Sequence, residues 1–254
     1  MFNIDRLNNN RVKRQALIDS SPFYEFICAD LIDRLKPIDR QFAEVMLISP
    51  PCEERFHSAL SGLYPACNIV SKNIKDIDQS NNRKFDLVVF SMGLHWVSDV
   101  QSFLKLVRGS LLENGIFICN FTGGGSLGNL RRKLIEVESN FACKHSMHIS
   151  PFIQFEHMTP LLQQAGFTEN IIDMEAVELE YDSALLLMKA IQSAGESNSL
   201  VNGVTYSITK DMYYELQRKR DTHFTDTINL ITFISSPTRQ SIKLRKEHFN
   251  AEKI

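Results

Sequence analysis

The sequence lacks several features that would point to particular classes of protein. It has no apolar run of about 18 residues, so no membrane-spanning helix is predicted. Its five cysteines include no Cys-x-x-Cys pair, which favours free thiols in a reducing compartment over a zinc site or a disulfide framework. The N-terminus has no apolar signal-peptide core, so we expect a cytoplasmic location. A net charge of −2 gives no reason to expect nucleic acid as a partner.

Glycine is missing where a nucleotide-binding fold most needs it. Residues 42–48 predict a first strand, and Ser-Pro-Pro-Cys-Glu-Glu-Arg-Phe follows at residues 49–56. The turn after such a strand normally contains glycines, because they let the backbone approach a bound cofactor. Here Pro50 and Pro51 fix two φ angles and remove two backbone donors.

The central part of the chain predicts a βαβ unit. Leu87–Phe90 is a short apolar run typical of a buried strand, and residues 99–112 have apolar side chains at helical spacing. Glu-Asn-Gly at residues 113–115 predicts a turn, and residues 116–121 predict the next strand. Crossovers of this kind imply a parallel sheet covered by helices.

The remaining elements predict an α/β domain with two flanking segments. Residues 1–40 are expected to form an N-terminal helical arm, residues 41–236 the α/β domain, and residues 237–254 a charged tail. The basic stretch at residues 11–14 suggests either an arm that touches a partner or lipid or, as we favour, a solvated terminus. Further helices are predicted at 23–35, 130–141, 157–165, 183–194 and 210–220, and further strands at 167–180 and 227–234.

Two central stretches carry a family resemblance. FDLVVFSMGLHWVSD (residues 85–99) and LLENGIFICNFTGGGSLGNLRRKL (residues 111–134) resemble the motifs of class I S-adenosylmethionine (SAM) dependent methyltransferases. Within that superfamily the chain is most similar to the complex I assembly factor 5 group and its bacterial relatives, which resemble the biotin-pathway methyltransferases acting on a malonyl-carrier protein. His-Ile-Ser-Pro-Phe (148–152) and Gly-Glu-Ser-Asn (195–198) extend the resemblance.

The resemblance implies a doubly wound, mostly parallel, seven-stranded-type sheet of the Rossmann-like methyltransferase fold. The short distance from residue 49 to residue 84 predicts that the region of strands 2 and 3 is shortened. The family presents an acid for the ribose hydroxyls after strand 2, where this chain has Ser71, Lys72 and Asn73. Asp76 is either a displaced ribose ligand or, as we favour, a solvated loop acid.

Candidate site residues follow from the same resemblance. If SAM binds, the cofactor side would include Ser49, Asn73, Ser91 and Met92. His95, Trp96 and His148 would lie on the substrate side, where His148 could act as a base or donor near the methyl acceptor. The alternatives are structural, with Trp96 a packing anchor, His95 hydrogen-bonded locally and His148 a buried histidine.

The stretch 123–133 has two open interpretations of its own. Gly123–Ser126 predicts either an anion-binding backbone nest or a structural turn. The basic residues 131–133 predict either a solvated helix face or a surface for an acidic partner, such as a carrier protein or a protein tail.

Two functional hypotheses result. The first, which we favour, is a degenerate family member, a pseudoenzyme that binds a respiratory-complex subunit or an acyl carrier protein as an assembly factor. The second is an active SAM-dependent methyltransferase on a carrier-bound malonyl ester, or a SAM-linked modifier of a respiratory-complex subunit. The glycine-free loop, the missing ribose acid and the shortened middle segment favour the first.

Overall fold

The computed structural model describes residues 2–77, 83–141, 148–201, 208–218 and 223–245. The helices are α1 (Ile4–Val12), α2 (Gln15–Asp19), α3 (Pro22–Leu35), α4 (Glu53–Leu63), α5 (Val100–Ser110), α6 (Gly128–Ser139), α7 (Met158–Gln164), α8 (Ala184–Ser193) and α9 (Lys210–Arg218). The strands are β1 (Glu44–Ile48), β2 (Asn68–Lys72), β3 (Phe85–Ser91), β4 (Leu111–Thr122), β5 (Glu169–Tyr181) and β6 (Phe224–Ser236). Short 3-10 turns lie at Ile74–Asp76, Leu94–Trp96 and Phe155–His157.

The strands form one six-stranded sheet in the order β2-β1-β3-β4-β6-β5. β1 is parallel to β2 and β3, and β3 is parallel to β4. β6 runs antiparallel to β4, because Ser236 Oγ donates to the Gly115 carbonyl near the start of β4 while Gly123, just after β4, donates to the Asn229 carbonyl. This arrangement confirms the predicted Rossmann-like α/β class.

The sheet has six strands in the described residues where the family resemblance implied a seven-stranded type. Between β2 and β3 the described chain forms only the 3-10 turn Ile74–Asp76. The predicted shortening of this region is therefore confirmed. Residues 78–82 lie outside the described residues, as do Cys143 and residues 246–254 of the predicted tail.

The chain divides into two compact units. Unit 1 contains Met1–Ile18, Thr122–Gln154 and Glu175–Leu230, and unit 2 contains Asp19–Phe121, Phe155–Met174 and Ile231–Ile254. Unit 2 has the parallel strands at its centre, where residues 45–48 are fully buried. The core of unit 1 is formed by the inner faces of α6, α8 and α9 with the end of β5 and the start of β6. The boundaries predicted at residues 40 and 236 stay a prediction.

The helix α5 and the strand β4 meet without the predicted turn. Asp99 caps α5 by accepting from the Ser102 backbone N–H at 3.0 Å. The helix ends at Ser110, and residues 113–115 lie inside β4, so the turn predicted there is wrong. The pairing of β3 with β4 jumps from Phe85↔Leu111 to Leu87↔Ile116, and the extra residues bulge outward with residues 112–114 exposed.

The N-terminal segment is helical, and Arg11 is buried where a solvated basic terminus was expected, whereas Lys13 is exposed as expected. α1 is capped by Asn3, whose side chain accepts from the Arg6 backbone N–H at 2.9 Å. Arg11 is only 6% exposed, because its guanidinium pairs with the Glu196 carboxylate within unit 1. A buried arginine requires such a partner, because a buried charge without compensation is strongly destabilising.

The other predicted elements lie within a few residues of the observed ones. α3 begins with Pro22 in its first turn, a position where the missing N–H of proline costs nothing. α9 ends at Arg218, and residues 219 and 220 of the predicted helix lie outside the described residues. β6 starts at Phe224, three residues before the predicted strand.

β5 lies at the outer edge of the sheet and is largely exposed. Residues 173–176 are all exposed, and Ile171 and Met174 are 50% and 48% exposed. Across the described residues, the helices are too short or too polar to cross a membrane.

Candidate functional site

The carboxyl ends of the parallel strands in unit 2 are where this kind of fold places a ligand. Ser91 ends β3 and donates through Oγ to Asn120 Oδ1 at 3.0 Å, while the Met92 N–H donates to the Asn120 carbonyl at 2.9 Å. Asn120 Nδ2 donates in turn to the Ile27 carbonyl of α3 at 3.3 Å. Ser91 and Met92 are 0% and 2% exposed. Their polar groups therefore bind the protein itself, and α3 lies against this edge.

The loop after β1 is also occupied with internal bonds. Ser49 adopts a left-handed φ of 36°, its N–H donates to the Lys72 carbonyl at 3.0 Å, and its Oγ accepts from the Ile74 N–H at 3.1 Å. The side chain of Asn73 accepts from the Lys75 N–H at 3.1 Å. The side chains of Ser49 and Asn73, which were predicted to contact the cofactor, thus hold the 3-10 turn that follows β2.

The proline pair closes the same loop against α3. Residues 50–52 are buried, and Cys52 Sγ lies 4.0 Å from the Tyr24 carbonyl of α3. Tyr24 is itself 0% exposed. Burial, with a smaller contribution from the Cys52 thiol, raises the pKa of the neighbouring Cys28 thiol to about 12. The environment under α3 is therefore apolar and closed.

These residues do not fit SAM as the structure stands. A nucleoside-containing ligand needs backbone donors at the first loop and an acceptor for its ribose hydroxyls. The loop offers Pro50 and Pro51, which have no N–H, and residues 68–73 contain no acid. Asp76 lies exposed on a 3-10 turn. The assignment of Ser49, Asn73, Ser91 and Met92 to a cofactor stays a prediction.

His95 and Trp96 lie in unit 2 on the 3-10 turn after β3, not at the start of α5. They are 4% and 3% exposed, and their rings pack at 5.1 Å between centroids and 48° between planes. The Trp96 N–H donates to the Gly93 carbonyl at 3.0 Å. This packing agrees with the structural interpretation of Trp96, and the catalytic role of both residues stays a prediction.

Unit 1 contains a cavity of about 730 Å³. Ligand pockets commonly have about 300–1,000 Å³, so the cavity has room for a small molecule. Its walls come from α6, α8, the start of α9 and the segments 148–152 and 196–198. The lining residues are Leu127, Leu130, Leu134, His148, Ile149, Ser150, Phe152, Leu185, Met188, Lys189, Ile191, Gln192, Glu196, Ser197, Asn198, Ile208, Lys210 and Tyr213.

His148 lies at this cavity beside a carboxylate. His148 Nε2 is 2.6 Å from Glu138 Oε1, and the two side chains are 14% and 1% exposed. A carboxylate that fixes an imidazole in this way is the usual arrangement behind a histidine base. The sequence indicated His148 but missed Glu138, because an acid near the end of an amphipathic helix looks like a surface residue.

The segments 148–152 and 195–198, which both contribute to the cavity wall, are hydrogen-bonded to each other. Asn198 Nδ2 donates to the His148 carbonyl at 3.2 Å, and Ser150 Oγ donates to Asn198 Oδ1 at 3.4 Å. Arg131 of α6 donates to the carbonyls of Ile149 and Ser150, both at 3.4 Å. Arg131 is therefore half-buried and holds the segment 149–150, which lines the cavity, so it does not lie on a solvated face.

The Gly-Glu-Ser-Asn segment is held by the N-terminal helix. Arg11 Nη2 and Nε donate to Glu196 Oε1 at 2.6 and 3.0 Å, with side-chain exposures of 7% and 12%. Gly195 has a φ of +75°, and a Cβ there would come within 2.9 Å of Arg11 Cγ. Glycine is therefore required at 195 both by its left-handed backbone and by the approach of α1.

The glycine run after β4 forms a structural turn. The N–H groups of Gly123 and Gly124 donate to the Asn229 and Ile153 carbonyls, both at 2.7 Å. Ser126 Oγ donates to the Gly123 carbonyl at 2.6 Å, and Asn229 Nδ2 donates to the Gly124 carbonyl at 2.8 Å. Because these groups are already bonded, the turn interpretation replaces the anion nest.

A family model described as "Methyltransferase domain" matches residues 36–119. "Putative methyltransferase RP459" of Rickettsia prowazekii (strain Madrid E) is 40% identical over 225 residues, which cover 82% of this chain and 99% of that protein. The chain belongs to the methyltransferase family. As a class I SAM-dependent methyltransferase relative, it comes from a family that uses SAM.

Two further relatives connect this chain to the predicted groups. Human "Arginine-hydroxylase NDUFAF5, mitochondrial" is 34% identical over 143 residues, which cover 54% of this chain and 41% of that protein. "Malonyl-[acyl-carrier protein] O-methyltransferase 1" of Coxiella burnetii (strain RSA 493 / Nine Mile phase I) is 27% identical over 118 residues, which cover 46% of this chain and 39% of that protein. The chain spans less than half the length of both.

Proposed function

We propose that this protein is a methyltransferase-family member that no longer uses SAM and instead acts as a protein-binding assembly factor. The observation that carries the proposal is the edge of β1, β3 and β4, where Ser91, Met92 and Asn120 bind one another and the backbone of α3. A ligand at this edge would have to displace α3 and break these buried bonds. Each buried polar group left without a partner costs about 1–3 kcal/mol.

The partner we propose is a subunit of a respiratory complex. This part rests on the similarity to the assembly factor group, which includes the relative named NDUFAF5. On this chain the proposed contact surface is the outer face of residues 123–135. Gly125, Gly128 and Arg132 are exposed there, and Ile135 is 47% exposed. An exposed isoleucine beside an arginine suits a partner surface that combines an apolar patch with an acidic group.

The alternative is an active SAM-dependent methyltransferase on a malonyl ester of a carrier protein, or a SAM-linked modifier of a respiratory-complex subunit. The observation in its favour is the His148–Glu138 pair, which has the geometry of an oriented base. The similarity to the malonyl-carrier methyltransferase supports the same alternative, an active methyltransferase. Both alternatives need SAM, and the closed edge of unit 2 argues against its binding there.

Calorimetric titration with SAM and S-adenosylhomocysteine separates these functions, supported by thermal unfolding with each ligand. A ligand present at 100 times its Kd adds about 2.7 kcal/mol to the free energy of unfolding. Each kcal/mol raises the Tm of a chain of this size by roughly 2–4 °C. We expect no heat of binding and no shift in Tm, while a methyltransferase with a glycine-containing first loop, run in parallel, shows both. A saturable SAM isotherm with one site would refute the loss of the cofactor.

The assembly role is tested in cells that normally produce the protein. Deletion of the gene should lower the amount of assembled NADH-oxidising respiratory complex on native gels, and the unchanged gene should restore it. The Arg132→Glu/Ile135→Asp variant should restore less, whereas Lys105→Glu, an exposed charge reversal on α5, should restore fully. Full complex assembly in the deletion strain would contradict the proposal.

A further inference from the structure

The cavity of unit 1 has a chemistry that neither the fold nor the proposed assembly role explains. Half of its lining is apolar and mostly aliphatic, contributed by α6, α8 and the segments on either side of them. These residues are Leu127, Leu130, Leu134, Ile149, Phe152, Leu185, Met188, Ile191 and Ile208. An apolar wall of this extent, around a space of about 730 Å³, suits a flexible hydrocarbon chain.

The acid among the described residues that line the cavity is paired with an arginine. Glu196 lines the cavity and pairs with Arg11 at 2.6 Å, so it is not an uncompensated negative charge that would repel an anion from the wall. Glu138, which contacts His148 at 2.6 Å, is 1% exposed and does not belong to the lining.

The cations at the opening are not neutralised. Lys189 on α8 and Lys210 at the start of α9 both line the cavity and are exposed. Within the described parts of the chain neither ammonium group has an ion pair or a hydrogen bond with a carboxylate. The Tyr213 hydroxyl lines the same side and accepts from Gln217 Nε2 at 3.1 Å, so its own proton remains available to donate.

We propose that this cavity binds an aliphatic chain with a carboxylate head, such as a medium- or long-chain fatty acid anion. The chain lies against the leucine, isoleucine and methionine side chains of α6 and α8. The carboxylate meets Lys189, Lys210 and the Tyr213 hydroxyl at the opening, where charge-assisted hydrogen bonds can form. A neutral lipid would leave both lysines unused, and a cationic amphiphile would be repelled by them.

Matched amphiphiles test the proposal on the full chain. Decanoate, decanol and decyltrimethylammonium have the same chain length and differ in head group, and each is titrated by calorimetry below its micelle concentration. We expect decanoate to bind with one site per chain, and decyltrimethylammonium to bind at least tenfold more weakly. Equal affinity for the three head groups, or many sites per chain, would overturn the proposal.

Two pairs of variants locate the site. Lys189→Glu/Lys210→Glu should weaken decanoate binding at least tenfold, whereas Lys105→Glu in unit 2 should leave it unchanged. Met188→Trp should block the cavity, whereas Leu186→Trp, at a neighbouring position of α8 that is 40% exposed, should not. Circular dichroism verifies that each variant is folded, and loss of binding in a control variant would place the site elsewhere. These titrations contain no SAM and no partner protein, so their outcome is independent of the proposed function.

Discussion

Helix α6 depends on a carboxylate from a distant part of the chain. Its N-cap residue, Leu127, has a left-handed φ of 56° and no side chain that can accept a hydrogen bond. Asp226 supplies the missing acceptor, since Oδ2 accepts from the Leu130 N–H at 2.7 Å and Oδ1 from the Asn129 N–H at 3.3 Å. Asp226 Oδ1 also accepts from the Thr227 N–H at 2.9 Å, and the residue is 4% exposed.

The change Asp226→Ala should therefore destabilise the chain by about 3 kcal/mol. Loss of an N-cap costs about 0.5–2 kcal/mol, and a buried N–H left without a partner costs about 1–3 kcal/mol. At roughly 2–4 °C per kcal/mol, Tm should fall by roughly 6–12 °C. Asp226→Asn keeps one acceptor oxygen but loses the charge that faces the helix dipole, so its loss should be smaller.

Thermal unfolding gives the magnitude, and amide hydrogen exchange shows where the effect lies. The first turn of α6 should exchange faster in Asp226→Ala than in the unchanged protein. The control is Asp33→Ala, which removes an exposed pair with Lys36 on α3 and should cost less than about 0.5 kcal/mol. If both Asp226 variants unfold within about 0.5 kcal/mol of the unchanged protein, the reasoning about a distant cap is wrong.

Three further predictions concern buried or capping groups. Arg11→Ala should cost roughly 3–5 kcal/mol in urea denaturation because it removes the guanidinium that compensates the Glu196 carboxylate, whose side chain is 12% exposed, and adding Glu196→Gln should recover part of that loss. Cys28, with its pKa raised to about 12 by burial, should resist iodoacetamide at pH 8 until the chain is unfolded, as peptide mass spectrometry would show. Asp99→Ala should lower Tm more at pH 7 than at pH 2, because the Ser102 N–H lowers the pKa of Asp99 from 3.8. The stabilisation is present above that value and is lost as pH falls through the folded pKa; an equal effect at both pH values would contradict this.

The elements that the sequence predicted well are those with a strong local signal. The buried strand at Leu87–Phe90 and the helix that starts at Val100 follow from apolar spacing, and the Asp99 cap marks the boundary between them. The Asn-Gly pair at 114–115 predicted a turn because it usually forms one. In the structure it lies in a bulge of β4, since pairing with β3 outweighs the local turn preference.

The candidate site was less predictable because its bonds join distant parts of the chain. Arg11 binds Glu196, which is 185 residues away in the sequence, and Asp226 accepts a hydrogen bond from Leu130, which is 96 residues away. The sequence around Arg11 or Asp226 does not indicate which distant residue each one binds. The lack of backbone donors in the first loop could be anticipated, because Pro50 has no N–H in any conformation. The contact of α3 with Asn120 could not, since it depends on how a helix packs on a strand end.

The exposed outer edge of β5 has a consequence for self-association. Among the described residues β5 has a neighbouring strand on one side, so its other side presents backbone groups that a second copy of the chain could pair with. The strand carries five carboxylates, at Glu169, Asp173, Glu175, Glu178 and Glu180, of which Asp173 is paired with Arg34. At neutral pH we expect the other four to disfavour pairing between two such edges. Acidification, or high salt that screens the charges, removes that protection and leaves the edge free to nucleate aggregates.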